Sequence, residues 1–171
     1  HTVFGKYTNK KYKYIVESIS NLGEGITEVI LSPKGEKLDF KAGQYAFISF
    51  DSVLTGRESH PFSFSSNDDD NKISFTIKNL GDFTSKIQKL EKGTLAFIEG
   101  PFGKFSYEEA SSKKQIWIAG GIGITPFLSM AKSIVKENGY DVDLYYCVRN
   151  PREAVYLSEL EKLNNPQIKI I

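Results

Sequence analysis

The chain has 171 residues, 40% of them hydrophobic, with 22 basic against 21 acidic side chains and a formal net charge of +1. That apolar content can bury a core and excludes a disordered tail, while the near-neutral balance without an aromatic-basic stripe speaks against nucleic-acid binding. One cysteine excludes an internal disulfide, and no apolar run approaches the roughly 20 residues that span a bilayer.

After an opening stretch, residues 1–11, with no cap or periodicity, short alternating runs dominate. Tyr12–Ser18, Ile26–Leu31, Tyr45–Phe50, Pro61–Ser65, Lys72–Lys78 and Thr94–Glu99 read as six strands separated by turn residues, the pattern of an antiparallel β barrel. Tyr45 and Phe47 are assigned to that barrel. One helix interrupts the strands at Phe83–Lys92, where Phe83, Ile87 and Leu90 share a face and Gly93 supplies the stop. Asp68-Asp69-Asp70 reads as a solvated hairpin tip rather than a metal site.

Beyond the predicted linker, Ala110–Lys113, the period changes. A strand at Gln115–Ala119, a helix at Pro126–Glu137, a strand at Asp141–Arg149 and a helix at Glu153–Leu163 begin a parallel α/β domain. The expected division is therefore a barrel over residues 1–110 and an α/β domain over 111–171. Two strands and two helices bury little surface, so this second domain is expected to be partial, truncated at its C-terminal side.

Ile116 to Pro126, I-W-I-A-G-G-I-G-I-T-P, reads as a strand covered on both faces, then a glycine turn, then a helix start. Gly120, Gly121 and Gly123 allow a sharp turn and close approach to a ligand; Thr125 is the expected N-cap and Pro126 fits the first helical position. Unpaired N–H groups at such a start suit a phosphate, although a tight strand-to-helix connection needs the same residues. His60-Pro61-Phe62-Ser63-Phe64-Ser65-Ser66 alternates rings and hydroxyls. As a strand it puts Phe62 and Phe64 on one face and Ser63 and Ser65 on the other, which serves either ligand stacking and hydrogen bonding or an ordinary half-buried strand.

With Gly43-Gln44-Tyr45, His60 to Ser63, Gly81-Asp82-Phe83-Thr84, Gly100 to Gly103 and Gly120 to Pro126 in this order, the sequence resembles the ferredoxin–NADP reductase superfamily. Histidine and phenylalanine, where most of the superfamily has arginine and tyrosine, point to its ferric reductase and NADPH oxidase branch. The resemblance implies FAD in the barrel, bound by His60, Pro61, Phe62, Ser63, Gly81, Phe83 and Thr84. In that reading Phe62 lies against the isoalloxazine ring, His60, Gly81 and Thr84 serve the diphosphate, and the Gly43-Gln44-Tyr45 position lies close to the flavin. Ser63 is the catalytic residue, its hydroxyl offered to flavin N5, which receives hydride.

For the nicotinamide dinucleotide the resemblance implies Gly120, Gly121, Gly123, Thr125 and Pro126. At the end of the second parallel strand an acid selects ribose hydroxyls and a base accepts a 2′-phosphate, so Arg149, with Arg152 nearby, favours NADP(H). Cys147 is expected to be a small buried residue. The implied acceptor is haem in an upstream membrane domain, passing electrons to ferric iron or dioxygen, which makes this chain the cytoplasmic portion of a membrane protein. One cysteine and two histidines argue against an internal iron–sulfur, haem or zinc site. Two alternatives stand beside this: a FAD-carrying electron-transfer subunit like that of dihydroorotate dehydrogenase, and a scaffold domain that has lost its cofactor.

Overall fold

The computed structural model describes residues 10–134 and 139–171. The opening residues 1–9 and the predicted helix end at Glu137 lie outside the described residues. The first unit is one curled antiparallel sheet of β1 (Lys11–Gly23), β2 (Ile26–Pro33), β3 (Tyr45–Phe50), β4 (His60–Ser63), β5 (Ile73–Lys78) and β6 (Leu95–Phe102), in the order β4-β3-β6-β1-β2-β5. A single bridge, Phe64 to Phe75, brings the two edges together, so the expected barrel closes at one point rather than along a full ladder. Alternation along these strands sends Val16, Val29, Leu31, Ile48, Phe64, Ile73, Phe75 and Ile98 inward, all essentially inaccessible. Tyr14 joins them because its hydroxyl accepts the Leu38 N–H at 2.9 Å, which satisfies the one polar group it carries into the core.

The first strand is longer than its predicted Tyr12–Ser18, running to Gly23, because irregularities at Val16/Ser18 and Asn21/Gly23 let it bend with the sheet. Helix α1 (Asp82–Ile87) caps one end of the barrel with Phe83 and Ile87, spaced i, i+4. The predicted continuation to Lys92 resolves into turns, in which Leu90 still reaches the core and Gly93, at φ +91°, donates to the Val16 carbonyl.

The second unit is a parallel sheet in the order β7 (Lys114–Gly120), β8 (Asp141–Cys147) and β9 (Ile168–Ile170), with α2 (Thr125–Ser133) and α3 (Leu157–Lys162). β9 is a third strand that the sequence reading missed, since three residues are too few to show a period. The expectation that β7 is covered on both faces fails: Trp117 and Ala119 are buried, whereas Ile116 and Ile118 are 67% and 69% exposed. Among the described residues the core cluster containing Trp117, Leu128, Leu144 and Leu160 lies on one side of this strand, so alternate residues point away from it. Cys147 is exposed rather than buried, at the end of β8. The last predicted helix begins later than Glu153; a 3₁₀ turn, Pro151–Glu153, capped by the Asn150 side chain, comes first. No helix among the described residues is long and apolar enough to cross a membrane.

The two units share a polar seam. Tyr156 Oη lies 2.5 Å from Thr76 Oγ1 and donates to Glu28 Oε1 at 3.1 Å, and Ser129 Oγ donates to the Ser66 carbonyl at 2.6 Å. Lys132 Nζ donates to the Ser65 carbonyl at 3.1 Å and pairs with Glu159 at 2.7 Å. The loop through Asp68–Asp70, expected to be solvated, rests on α2 through Ser133 Oγ, 2.7 Å from Asp68 Oδ1.

Burial also fixes tyrosines in the neutral form. Tyr107 and Tyr146 are pushed from 10.0 up to about 12, first by burial and then by the carboxylates of Glu108 and Glu153 respectively. Between pH 10 and 12 the unfolded chain has lost these protons while the folded chain keeps them, so stability is full below 10 and falls as pH rises through that interval. Urea midpoints measured across it should fall less steeply in Tyr107→Phe and Tyr146→Phe than in the parent; identical slopes would show that these two hydroxyls do not drive the loss.

Candidate functional site

Three adjoining cavities run from the outer wall of the barrel to the junction of the two units. The first, about 320 Å³, is walled by Tyr45, Phe47, Pro61, Phe62 and Ser63. The second, about 340 Å³, includes Pro61, Phe62, Ser63, Lys78, Thr84, Ile122, Gly123, Thr125 and Pro126. The third, about 450 Å³, includes Lys78, Gly120, Gly121, Ile122, Arg149 and Glu153. Pro61 to Ser63 are common to the first two, and Lys78 and Ile122 to the last two. Thus the fold brings Pro61, Phe62 and Ser63 of H-P-F-S, Thr84 of G-D-F-T and the glycine turn around one space, although they are far apart in sequence; His60 does not line it.

β4 ends at Ser63, earlier than the predicted Ser65, and this sorts the hydroxyls. Ser65 is inaccessible, its oxygen 2.9 Å from Ser74 Oγ and accepting from Thr76 Oγ1 at 3.1 Å, and Ser66 Oγ accepts from Ser74 N. Ser63 Oγ has no hydrogen-bond partner among the described residues, so of this run it is the hydroxyl left for a ligand. Phe64 is consumed by the core, stacked on Phe40 at 3.9 Å, whereas Phe62 is only partly buried and lines both cavities. Tyr45 and Phe47 do not fill the barrel. They alternate with buried Ala46 and Ile48, face outward beside Phe102, and wall the first cavity, which suits the position the resemblance implies for Gly43-Gln44-Tyr45 better than the assignment to the barrel interior.

The residues expected to serve the diphosphate are engaged in shaping the site. His60 stacks on Phe83 with ring centroids 3.9 Å apart, and its Nε2 is 3.2 Å from Glu58 Oε2. Thr84 Oγ1 accepts from Leu80 N at 2.9 Å and Gly81 N at 3.0 Å, and its proton goes to the Gly81 carbonyl. The hydroxyl therefore closes the turn instead of serving as a free donor.

At the glycine turn a 3₁₀ segment, Gly121–Ile124, runs directly into α2, and Ile124 rather than Thr125 holds the N-cap position. Thr125 Oγ1 donates to the Ile122 carbonyl at 3.2 Å. The helical run thus opens at Gly120, which moves its unpaired N–H groups to the glycines. A Cβ added at Gly120, Gly121 or Gly123 would meet no protein atom within 4 Å, so the room in front of the turn is open to a ligand. Gly121, at φ +50°, is also required by the turn itself.

At the end of β8, Arg149 stands beside the cavity, but its Nη2 donates to Glu153 Oε1 at 2.9 Å. Glu153 and Lys78 are the charged groups here that the sequence reading did not single out; neither lies in a recognisable motif, and only the fold puts them together. Arg152 is exposed and is not among the residues of this wall.

A curled antiparallel barrel whose end meets the glycine turn of a parallel α/β unit defines a two-nucleotide oxidoreductase module. The chain belongs to the FAD-binding domain family, whose model matches residues 12–106, and continues as an oxidoreductase NAD-binding domain over 117–170. It is 32% identical over 130 residues to a probable dihydroorotate dehydrogenase B (NAD(+)), electron transfer subunit, of Methanocaldococcus jannaschii, covering 76% of this chain and 46% of that protein. It is 31% identical over 157 residues to a flavohemoprotein of Candida norvegensis, covering 86% and 40%, and 28% identical over 137 residues to dual oxidase 2 of Rattus norvegicus, covering 75% and 9%. A crystal structure of flavohemoglobin from Malassezia yamatoensis with bound FAD and heme superposes with a TM-score of 0.79 at 20% identity, over 94% of this chain and 44% of that one, a likeness of fold. The chain spans less than half the length of these relatives.

Proposed function

We propose that the chain is the dehydrogenase portion of a longer electron-transfer protein, taking hydride from NADPH at FAD and delivering electrons to a haem held elsewhere, with ferric iron or dioxygen as terminal acceptor. The observation that carries this reading is the convergence of Phe62, Ser63, Thr84 and the glycine turn on one cavity. Bound FAD supplies a centre that accepts two electrons as hydride and can release them singly. Phe62 offers a ring face, Ser63 an uncommitted hydroxyl, and His60 with the α1 turn a polar edge. The glycines of the turn supply room and N–H donors for a dinucleotide, and Arg149 a guanidinium for a 2′-phosphate. The flavohemoprotein and dual oxidase likenesses favour a haem acceptor, and the second supports reading the chain as the cytoplasmic portion of a membrane protein.

The likeness to the dihydroorotate dehydrogenase subunit favours a second reading, a FAD carrier that docks a redox partner without oxidising a nicotinamide itself. Domain limits of 1–110 and 111–171 accord with either.

Titration of the apoprotein with FAD tests what both readings share. Quenching of flavin fluorescence and a shifted absorption band are expected, and Phe62→Ala should weaken binding about tenfold, the loss of one stacked ring, with the urea midpoint little changed. Absence of both signals in the folded parent would leave the scaffold reading.

A further inference from the structure

Glu153 stands between two cations from different units. Its side chain is 8% exposed; Arg149 Nη2 donates to Oε1 at 2.9 Å, Asn150 Nδ2 reaches the same oxygen at 3.3 Å, and Lys78 Nζ is 3.7 Å from Oε2. Lys78 belongs to the barrel strand β5 and Arg149 follows β8, and all three charged groups line the cavity that also holds Gly120 and Gly121. The carboxylate is the fixed member of this set. Arg149 is 81% exposed and can turn toward a ligand, whereas Glu153 is packed under the wall.

A phosphate that approaches Arg149 meets a guanidinium already paired and a like charge behind it. Arg forks bind phosphate best with two parallel N–H donors, and here one terminal nitrogen is committed to Glu153. Because one side of the pair is buried, salt screens it less than it would a pair fully in solvent. Resting on the reading that this cavity takes a nicotinamide dinucleotide, we propose that Glu153 is a specificity-determining residue. It holds Arg149 and Lys78 back from phosphate, so the advantage of a 2′-phosphorylated dinucleotide over its unphosphorylated form is smaller than Arg149 alone would give.

Lys78 borders both the second and third cavities beside the turn, so releasing it should help any dinucleotide, since both forms carry the diphosphate. Releasing Arg149 should help only the form with the 2′-phosphate. The change in the ratio of the two affinities therefore isolates the Glu153–Arg149 pair.

The test is calorimetric titration of the FAD-loaded parent and Glu153→Gln with NADP+ and NAD+ at low and moderate salt. Glutamine keeps the size and a hydrogen-bond acceptor and removes the charge. NADP+ should tighten about sixfold and NAD+ about twofold, with a steeper loss of NADP+ binding as salt rises. Combining Glu153→Gln with Arg149→Gln should cancel the gain in the ratio, a coupling that a merely structural role for Glu153 would not produce. If the glutamine variant does not fold, Glu153→Asp, which draws the carboxylate back from Arg149, should raise the ratio by a smaller factor. An unchanged ratio, or weaker NAD+ binding that would mark Glu153 as a partner for ribose hydroxyls, overturns the proposal while the nucleotide reading stands. A parent that binds neither dinucleotide overturns that reading and this inference with it.

Discussion

Gly43→Ala should lower stability by about 3–5 kcal/mol, enough to threaten folding of a domain whose total stability is of order 10 kcal/mol. Gly43 sits at φ +99°, and a Cβ there would overlap the Phe105 carbonyl oxygen and Met130 Cε. One obstacle is backbone, so it cannot yield by a change of rotamer, and Met130 is itself 1% exposed in the second core. The residue lies where the loop before β3 touches the other unit, so relief of the overlap must part the units or distort the strand. Gly35→Ala is the control: it also has positive φ, +112°, but open space around the new Cβ, and should cost only about 1 kcal/mol. Urea unfolding of the two variants separates backbone conformation from close approach. Equal midpoints would mean that the approach of Phe105 is unimportant.

Gly120→Val should have the opposite profile, with stability within about 0.5 kcal/mol of the parent and nicotinamide dinucleotide affinity reduced about a hundredfold. Gly120 has strand geometry, φ −110° and ψ 116°, which valine adopts readily, and a Cβ added there would meet no protein atom within 4 Å. That open space is the room in front of the turn, so the new methyl groups would stand where a diphosphate must approach the N–H groups. Thermal unfolding and titration with NADP+ on the same sample decide it. Undiminished affinity in a folded variant would move the dinucleotide away from this turn.

The two glycines differ in what made them readable. Gly120 lies in G-G-I-G-I-T-P, a local pattern whose strand, turn and helix are set by neighbours in sequence, and the fold bears out that succession. The six barrel strands were legible for the same reason, since alternation of buried and exposed side chains repeats every two residues whatever lies opposite. The glycine turn and the H-P-F-S segment were each open to a plain structural reading from residue type alone and became candidate ligand-binding segments through the family resemblance; the fold brings Pro61 to Ser63 and the turn to one cavity.

What sequence left undecided is what depends on partners distant in the chain. Whether a strand is covered on one face or two is set by where helices pack, so Ile116 and Ile118 look like core residues and are exposed. Which hydroxyl of Ser63, Ser65 and Ser66 remains available is set by Ser74 and Thr76 on β5, and Thr84 is diverted by backbone it must itself hold in place. Arg149 reads from sequence as an unencumbered base; only the tertiary structure brings the Glu153 carboxylate and the barrel's Lys78 against it. Local backbone preference and periodicity determined the elements and their chemistry, whereas burial and long-range hydrogen bonding decided which of those groups are free to act.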